Sequence, residues 1–150
     1  MKNFIIFYAD DDEDDLFLFE EAVNSLEEKR DVIKLNLHKN GERLIDAIIE
    51  NKDSDSVVFL DLNMPLKSGF DFLKEIRSND AIKNTPIIIY STSSSSDVIS
   101  KSESLGANFY AVKPYTFDDL KKIIFGVVTL DWRNNENSKK NFIFNKLIAS

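Results

Sequence analysis

The chain has 150 residues, 43% of them hydrophobic and 30% charged, with a net charge of −7 and no cysteine. That length fits one domain with a sizeable core. The negative balance disfavours nucleic acid or an anionic membrane as a direct partner, and the missing cysteine excludes a disulfide framework, a thiol nucleophile and a zinc cluster. No apolar run approaches the roughly 18 residues of a membrane span. The first residues carry one lysine and a short apolar run, a weak signal-peptide pattern. The acidic cluster directly behind them argues against export, so a cytoplasmic location is expected.

Residues 4–9 form the first predicted strand, which runs into Asp10-Asp11-Asp12-Glu13-Asp14-Asp15. Leu16, Phe19, Val23 and Leu26 then recur with the spacing of one helix face. The acids at that helix start suit the positive end of its dipole. Residues 32–38 read as a second strand, broken by Asn40-Gly41. Leu44, Ile45, Ile48 and Ile49 mark a second helix, and residues 51–56 a polar loop. Residues 57–60 are a continuous apolar run, as in a strand buried on both faces. Pro65 cannot sit in a central strand, so this strand stops before it and Asp61 lies at its carboxyl end. Phe70, Leu73 and Ile76 begin a third helix just past Gly69.

Residues 87–90 are the fourth strand, followed by Ser91-Thr92 and a serine run that opens a helix with Val98, Ile99 and Leu105. Gly106 stands where a helix C-terminal glycine belongs. Residues 109–112 are a short fifth strand, ended by Lys113-Pro114. Phe117, Leu120, Ile124, Val127 and Val128 stripe the last helix. Five βα units in alternation predict a doubly wound parallel sheet with helices on both faces. Residues 1–132 form the expected domain. Residues 133–150 are a tail, with a polar break and then the apolar Phe142, Ile143, Phe144, Leu147 and Ile148.

In open α/β sheets ligands bind at the carboxyl ends of the strands. Here those ends carry Asp10 and Asp11, Asp61, Ser91 and Thr92, and Lys113. Clustered carboxylates repel and need a proton or a cation. Hard oxygen ligands suit Mg²⁺. A carboxylate is also a known nucleophile toward phosphorus, and Mg²⁺ with Lys113 would neutralise a phosphoryl group on Asp61. Singly, each residue has a plainer role: a loop-capping aspartate, a solvated helix start, a surface lysine. Their joint placement on four strand ends carries the signal.

These motifs resemble the receiver domain of two-component response regulators over about residues 3 to 131. The likeness rests on Ala9-Asp10-Asp11, on Leu60-Asp61-Leu62-Asn63-Met64-Pro65 with Gly69, on Tyr90-Ser91-Thr92 and on Tyr110-Ala111-Val112-Lys113-Pro114. It implies a flavodoxin-like strand order, 2-1-3-4-5. It also implies that Asp61 accepts phosphate from a sensor histidine kinase in a self-catalysed, Mg²⁺-dependent step. Mg²⁺ would be held by Asp11, Asp61 and the backbone carbonyl of Asn63, with Asp10 reaching it through water. Ser91 would be the switch hydroxyl, Tyr110 its aromatic partner and Lys113 the phosphoryl contact, with a cis Lys113–Pro114 bond. A downstream protein target, and a homodimer through helix four, strand five and helix five, belong to the same expectation. Asn40-Gly41, Gly106-Ala107-Asn108 and Trp132 resemble small stand-alone receivers of phytochrome-type kinases.

The sequence departs from the family at Thr92, where a smaller residue is usual. Its longer acidic run also makes Asp12 a rival to Asp10 and Asp11. A phosphatase of the haloacid dehalogenase type would need an acid two residues past Asp61, where Asn63 stands. A flavodoxin-like nucleotide binder would not put acids in its phosphate loop. A phosphate-independent interaction module would not need the acid, hydroxyl and lysine set. His38, Tyr8, Phe17 and Phe19 read as non-catalytic: His38 near solvent, the aromatics in the core. The last helix is apolar on more than one side, so a cover is expected, either the tail through Phe142, Phe144 and Leu147 or a second copy.

Overall fold

The periodicity of each strand decides how the layers form, because successive residues point to opposite faces. In the computed structural model, which describes residues 4–26, 32–130, 132 and 141–145, ten elements alternate. They are β1 (Phe4–Asp10), α1 (Glu13–Asn24), β2 (Ile33–Lys39), α2 (Leu44–Glu50), β3 (Asp55–Leu60), α3 (Gly69–Ser78), β4 (Ile87–Ser91), α4 (Ser96–Ser104), β5 (Phe109–Val112) and α5 (Phe117–Thr129). The five strands are parallel in the order β2-β1-β3-β4-β5, as expected. Ile6, Tyr8, Val57, Phe59, Ile88, Tyr90 and Phe109 pack with α1 and α5. The alternate residues Ile5, Phe7, Val58, Leu60, Ile87 and Ile89 pack with α2 and α3 on the other face. Each fully buried side chain of this kind contributes about 1.5–3 kcal/mol.

Several strand boundaries shift. Asp10 joins β1 and Lys39 joins β2 because their backbones pair with each other. Val32 falls just outside, with its carbonyl accepting from the Phe4 amide. Asp55 and Ser56, read as loop from their polarity, belong to β3 because they pair with Phe4 and Ile5. Side-chain polarity does not report backbone pairing at a sheet edge. Phe17 is exposed, contrary to the core reading, since α1 turns Leu16 and Phe19 inward and carries Phe17 round to solvent. His38 is buried, not near solvent, and its Nδ1 donates to the Glu42 carbonyl.

The surplus apolar side of α5 is mostly covered. Ile123, Ile124 and Val127 are buried, and Trp132 packs edge-on against Phe109 with its indole N–H donating to the Val127 carbonyl. The tail contributes through Phe142 and Phe144, both buried. Only Phe144 joins the α5 side, while Phe142 lies on the other face of the sheet. Leu147 lies outside the described residues.

The start of α3 is tied to the end of β3. Ser68 caps the helix by accepting from the Asp71 amide, and the Gly69 amide donates to the Leu62 carbonyl. A Cβ on Gly69 would lie 2.2 Å from the Asp61 carbonyl oxygen. Only glycine allows this approach, and it sets the helix directly beside the backbone of Asp61. Gly69→Ala is expected to destabilise the protein by about 1–3 kcal/mol, the usual scale of overpacking. The check is a lowered urea midpoint with an unchanged slope; an unaltered midpoint would show that the helix start has room to move.

Candidate functional site

Four strand ends meet at the carboxyl edge of the sheet. Asp10 closes β1 and is fully buried. Its carboxylate accepts from the Tyr8 hydroxyl, from the Asp12 amide at 3.0 Å and from Lys113 Nζ at 2.8 Å. Asp61 follows β3, is 4% exposed, and is anchored by its amide donating to the Ala9 carbonyl. Asp11 is exposed beside them. Ligand oxygens of Asp10, Asp11 and Asp61 all lie within 4.8 Å of one another. Lys113, directly after β5, reaches across from the far side. Its Nζ is 2.8 Å from Asp15 Oδ2 and 3.5 Å from Asp61 Oδ1.

The acidic run divides into distinct tasks. Asp12 is the N-cap of α1, and its side chain accepts from the Asp14 and Asp15 amides. It faces its own helix and drops out as a rival for the pocket. Asp15 enters the site, which the sequence reading missed. The hydroxyl of Tyr8 was missed as well. Tyr8 is core, as expected, yet it stands two residues before Asp10, and that spacing alone puts both side chains on one face of the strand. No comparable signal existed for Asp15, whose partner lies 98 residues away.

Ser91 ends β4 and is buried, with its Oγ accepting from the Ser93 amide at 3.2 Å. Its carbonyl accepts from the Lys113 amide at 2.8 Å, which fixes the root of the lysine. Tyr110 is fully buried, and its hydroxyl donates to the Ser93 carbonyl at 2.7 Å. Thr92 and Asn63 are exposed. The Lys113–Pro114 peptide is trans, correcting the cis expectation; none of the described bonds is cis. Trans is the ordinarily lower isomer even for proline. A cleft of about 520 Å³ lies elsewhere, at the amino edge of the sheet among Asp55, Asn84 and Trp132, and shares no residue with the acidic pocket.

Electrostatics separate the carboxyls. Burial raises Asp10, but hydrogen bonds from Lys113, Tyr8 and the Asp12 amide prevail and hold it below the usual range. Asp61 is pushed up to about 7 by burial and by the Asp10 charge, only partly offset by Lys113. Burial, then Asp10, also raises Asp11. Burial lowers Lys113, yet its bonds to Asp10 and Asp15 win and leave it firmly charged. Among the described residues one ammonium faces four carboxyls, Asp10, Asp11, Asp15 and Asp61, so they are short of positive charge. Its all-oxygen donors fit a hard divalent cation.

A doubly wound sheet with acids on two strand ends, a buried hydroxyl on the third and a lysine on the fourth defines a receiver-type signalling module. The family described as response regulator receiver domain matches residues 6–125, and the chain belongs to it. It is 35% identical over 78 residues to response regulator Rcp1 of Synechocystis sp., covering 52% of this chain and 53% of that protein. The crystal structure of the Mn(2+)-bound form of Rcp1 matches with a TM-score of 0.67 at 26% identity, over 84% of this chain and 92% of that one. The phosphorylated cyanobacterial phytochrome response regulator RcpA matches at 0.70 and 26% identity, over 83% and 91%. These relatives agree with the phytochrome-type resemblance. The chain spans about half the length of the curated relatives it matches.

The raised Asp61 carboxyl has a consequence for stability. A group whose pKa rises on folding stabilises the fold at low pH, and that contribution is lost as pH climbs from about 4 through about 7. In chelator, Asp61→Asn should therefore raise the thermal midpoint at pH 8 and change it little at pH 4. The gain is at most about 4 kcal/mol, at 1.36 kcal/mol per pKa unit. An equal effect at both pH values would contradict a raised Asp61 carboxyl.

The division of tasks in the acidic run is also testable. Asp11→Ala should weaken the binding of a divalent cation, tested with Mg²⁺, by at least about tenfold, the low end of the loss from altering a metal site's surroundings, whereas Asp12→Ala should cost mainly helix stability, about 1 kcal/mol. Calorimetric titration of both variants decides it; a greater loss of binding in Asp12→Ala would place the pocket one residue further on.

Proposed function

We propose that Asp61 is the phosphoacceptor of a two-component phosphorelay. It would take its phosphoryl group from the phosphohistidine of a sensor histidine kinase and so change a protein-binding surface. The observation that carries this reading is the buried Asp61 carboxyl at a strand end, within 4.8 Å of Asp10 and Asp11 ligand oxygens and 3.5 Å from Lys113 Nζ. In the transfer, an Asp61 oxygen forms the new P–O bond as the P–N bond to the donor imidazole breaks, and the imidazole leaves. Mg²⁺ bound by Asp11, Asp61 and the Asn63 carbonyl would supply the positive charge that keeps Asp61 ionised and offsets the phosphoryl oxygens. Asp10 already accepts three hydrogen bonds, which supports a role for it through water.

Lys113 serves as the mobile cation. It holds Asp10 and Asp15 at rest and needs to shift little to meet phosphoryl oxygens on Asp61. Ser91 supplies a hydroxyl donor on the opposite side. Its movement would pull on Ser93, whose carbonyl the Tyr110 hydroxyl holds, so the switch would reach β5 through that bond. Thr92, exposed and next to Ser91, would set access to the pocket. Catalysis would be limited to this self-phosphorylation and its reversal by water. The alternative of a haloacid dehalogenase-type phosphatase lacks its second acid, since Asn63 stands in that place.

The proposed setting is cytoplasmic, with a downstream protein as target and neither nucleic acid nor membrane as partner. No helix among the described residues is long and apolar enough to cross a membrane. Residues 1–132 form the receiver and 133–150 the tail, and pairing of two copies through α4, β5 and α5 remains part of the proposal. The test is incubation with a small-molecule phosphodonor, with the product read by mass. One phosphoryl group should add to the wild type in Mg²⁺. None should add to Asp61→Asn or in excess chelator, and labelling of either would sink the assignment.

A further inference from the structure

β5 is the last strand of the sheet, so its outer edge presents unpaired backbone groups unless something covers them. The cover here comes from the tail. The Tyr110 amide donates to the Phe142 carbonyl at 2.9 Å, and Tyr110 forms a single parallel bridge with Ile143. Two residues on, the Asn145 side chain does what a strand backbone would do. Its Oδ1 accepts from the Val112 amide at 2.8 Å, and its Nδ2 donates to the Val112 carbonyl at 3.0 Å. An amide side chain offers one acceptor and two donors, which makes it a close mimic of a peptide unit.

The segment crosses the edge instead of running along it. Phe142 enters the core on the α2 and α3 face, which also contains Tyr110. Phe144 enters the core on the α1 and α5 face and stacks edge-on against Phe109 at 5.1 Å. Both rings are buried, so the crossing is held by an apolar anchor on each side of the sheet and by hydrogen bonds between them.

We propose that residues 142–145 are an intramolecular staple on β5. It closes this edge to extended segments of other chains and positions Lys113 for the acidic pocket. The staple binds both backbone groups of Val112, the residue directly before Lys113, and the amide of Tyr110, whose hydroxyl holds the loop after Ser91. Coupling of this kind is reciprocal: whatever the staple does for the pocket, a ligand in the pocket does for the staple. The Lys113 half of the proposal rests on the phosphoacceptor reading, while the edge-closing half does not. Pairing of two copies through the β5 edge would have to displace the staple.

The experiment is amide hydrogen exchange on the full chain, with Phe144→Ala and Asn145→Ala as variants and the amides of β1 and β3 as the control for folding. The Tyr110 and Val112 amides should exchange at least tenfold faster in Asn145→Ala than in the wild type, with the control amides unchanged. Phe144→Ala should do the same, and if it loosens the core the Asn145 variant decides alone. Equal exchange in wild type and Asn145→Ala overturns the staple. Protection that rises with protein concentration puts a second copy's tail on the edge and overturns the intramolecular form. A second arm titrates beryllofluoride with Mg²⁺. Asn145→Ala should bind it at least threefold more weakly, and equal affinity removes the positioning role. Failure of the wild type to bind beryllofluoride overturns the Asp61 reading instead and leaves the exchange result to judge the edge.

Discussion

Among the described residues, Lys113 is the one ammonium set among four carboxyl groups that the sheet topology drives together. Two unit charges about 4 Å apart interact by about 4 kcal/mol at an effective dielectric of 20, so four acids with one cation cannot all stay ionised cheaply. The protein resolves this unevenly. Asp10 and Asp15 take the short bonds to Nζ, while Asp61 is left at 3.5 Å and is pushed up to about 7 by burial and then by the Asp10 charge. Asp61, buried and only partly compensated by Lys113, is the acid a cation or a phosphoryl group would recruit. The same lysine fastens β5 to β4 through its own amide, so the charge balance and the end of the sheet depend on one residue.

That uneven arrangement needs rigid supports, and the structure supplies them in apolar material. Below the pocket, Tyr8, Phe19, Phe59 and Tyr90 form an aromatic cluster with centroids 4.3 to 6.5 Å apart, edge-to-face except for the tilted Tyr8–Phe19 pair. Tyr8 joins the two regimes, with a ring in the core and a hydroxyl on Asp10. Gly69 holds α3 against the Asp61 backbone on the other side. The energy of the buried aromatic and aliphatic side chains is large beside the few kcal/mol stored in the acid cluster, so the fold can carry a destabilised site.

The β5 edge shows a second way of carrying an unfavourable feature. A four-residue edge strand beside the pocket has little pairing of its own. The tail covers it with one bridge, one asparagine and two phenylalanines. This cover binds Val112, the residue directly before Lys113, which would bring the tail into the same cooperative unit as the site.

The order of elements, the layered class and the principal acids were legible in the sequence. Those features follow from local periodicity, from proline positions and from the rule that strand ends converge. The sequence placed Asp10, Asp11, Asp61, Ser91 and Lys113 at one edge, and the structure brings them together there. Which member of the acidic run caps a helix and which faces the lysine follows from the folded arrangement alone. Asp12 and Asp15 are identical in type and differ only in what the fold sets against them. The fold likewise decided that Phe17 is exposed and His38 buried, that the Lys113–Pro114 bond is trans, and that Phe142 and Phe144 straddle the sheet. Each of these depends on a partner distant in the chain, and periodicity, which compares a residue with its near neighbours, carries no information about such partners.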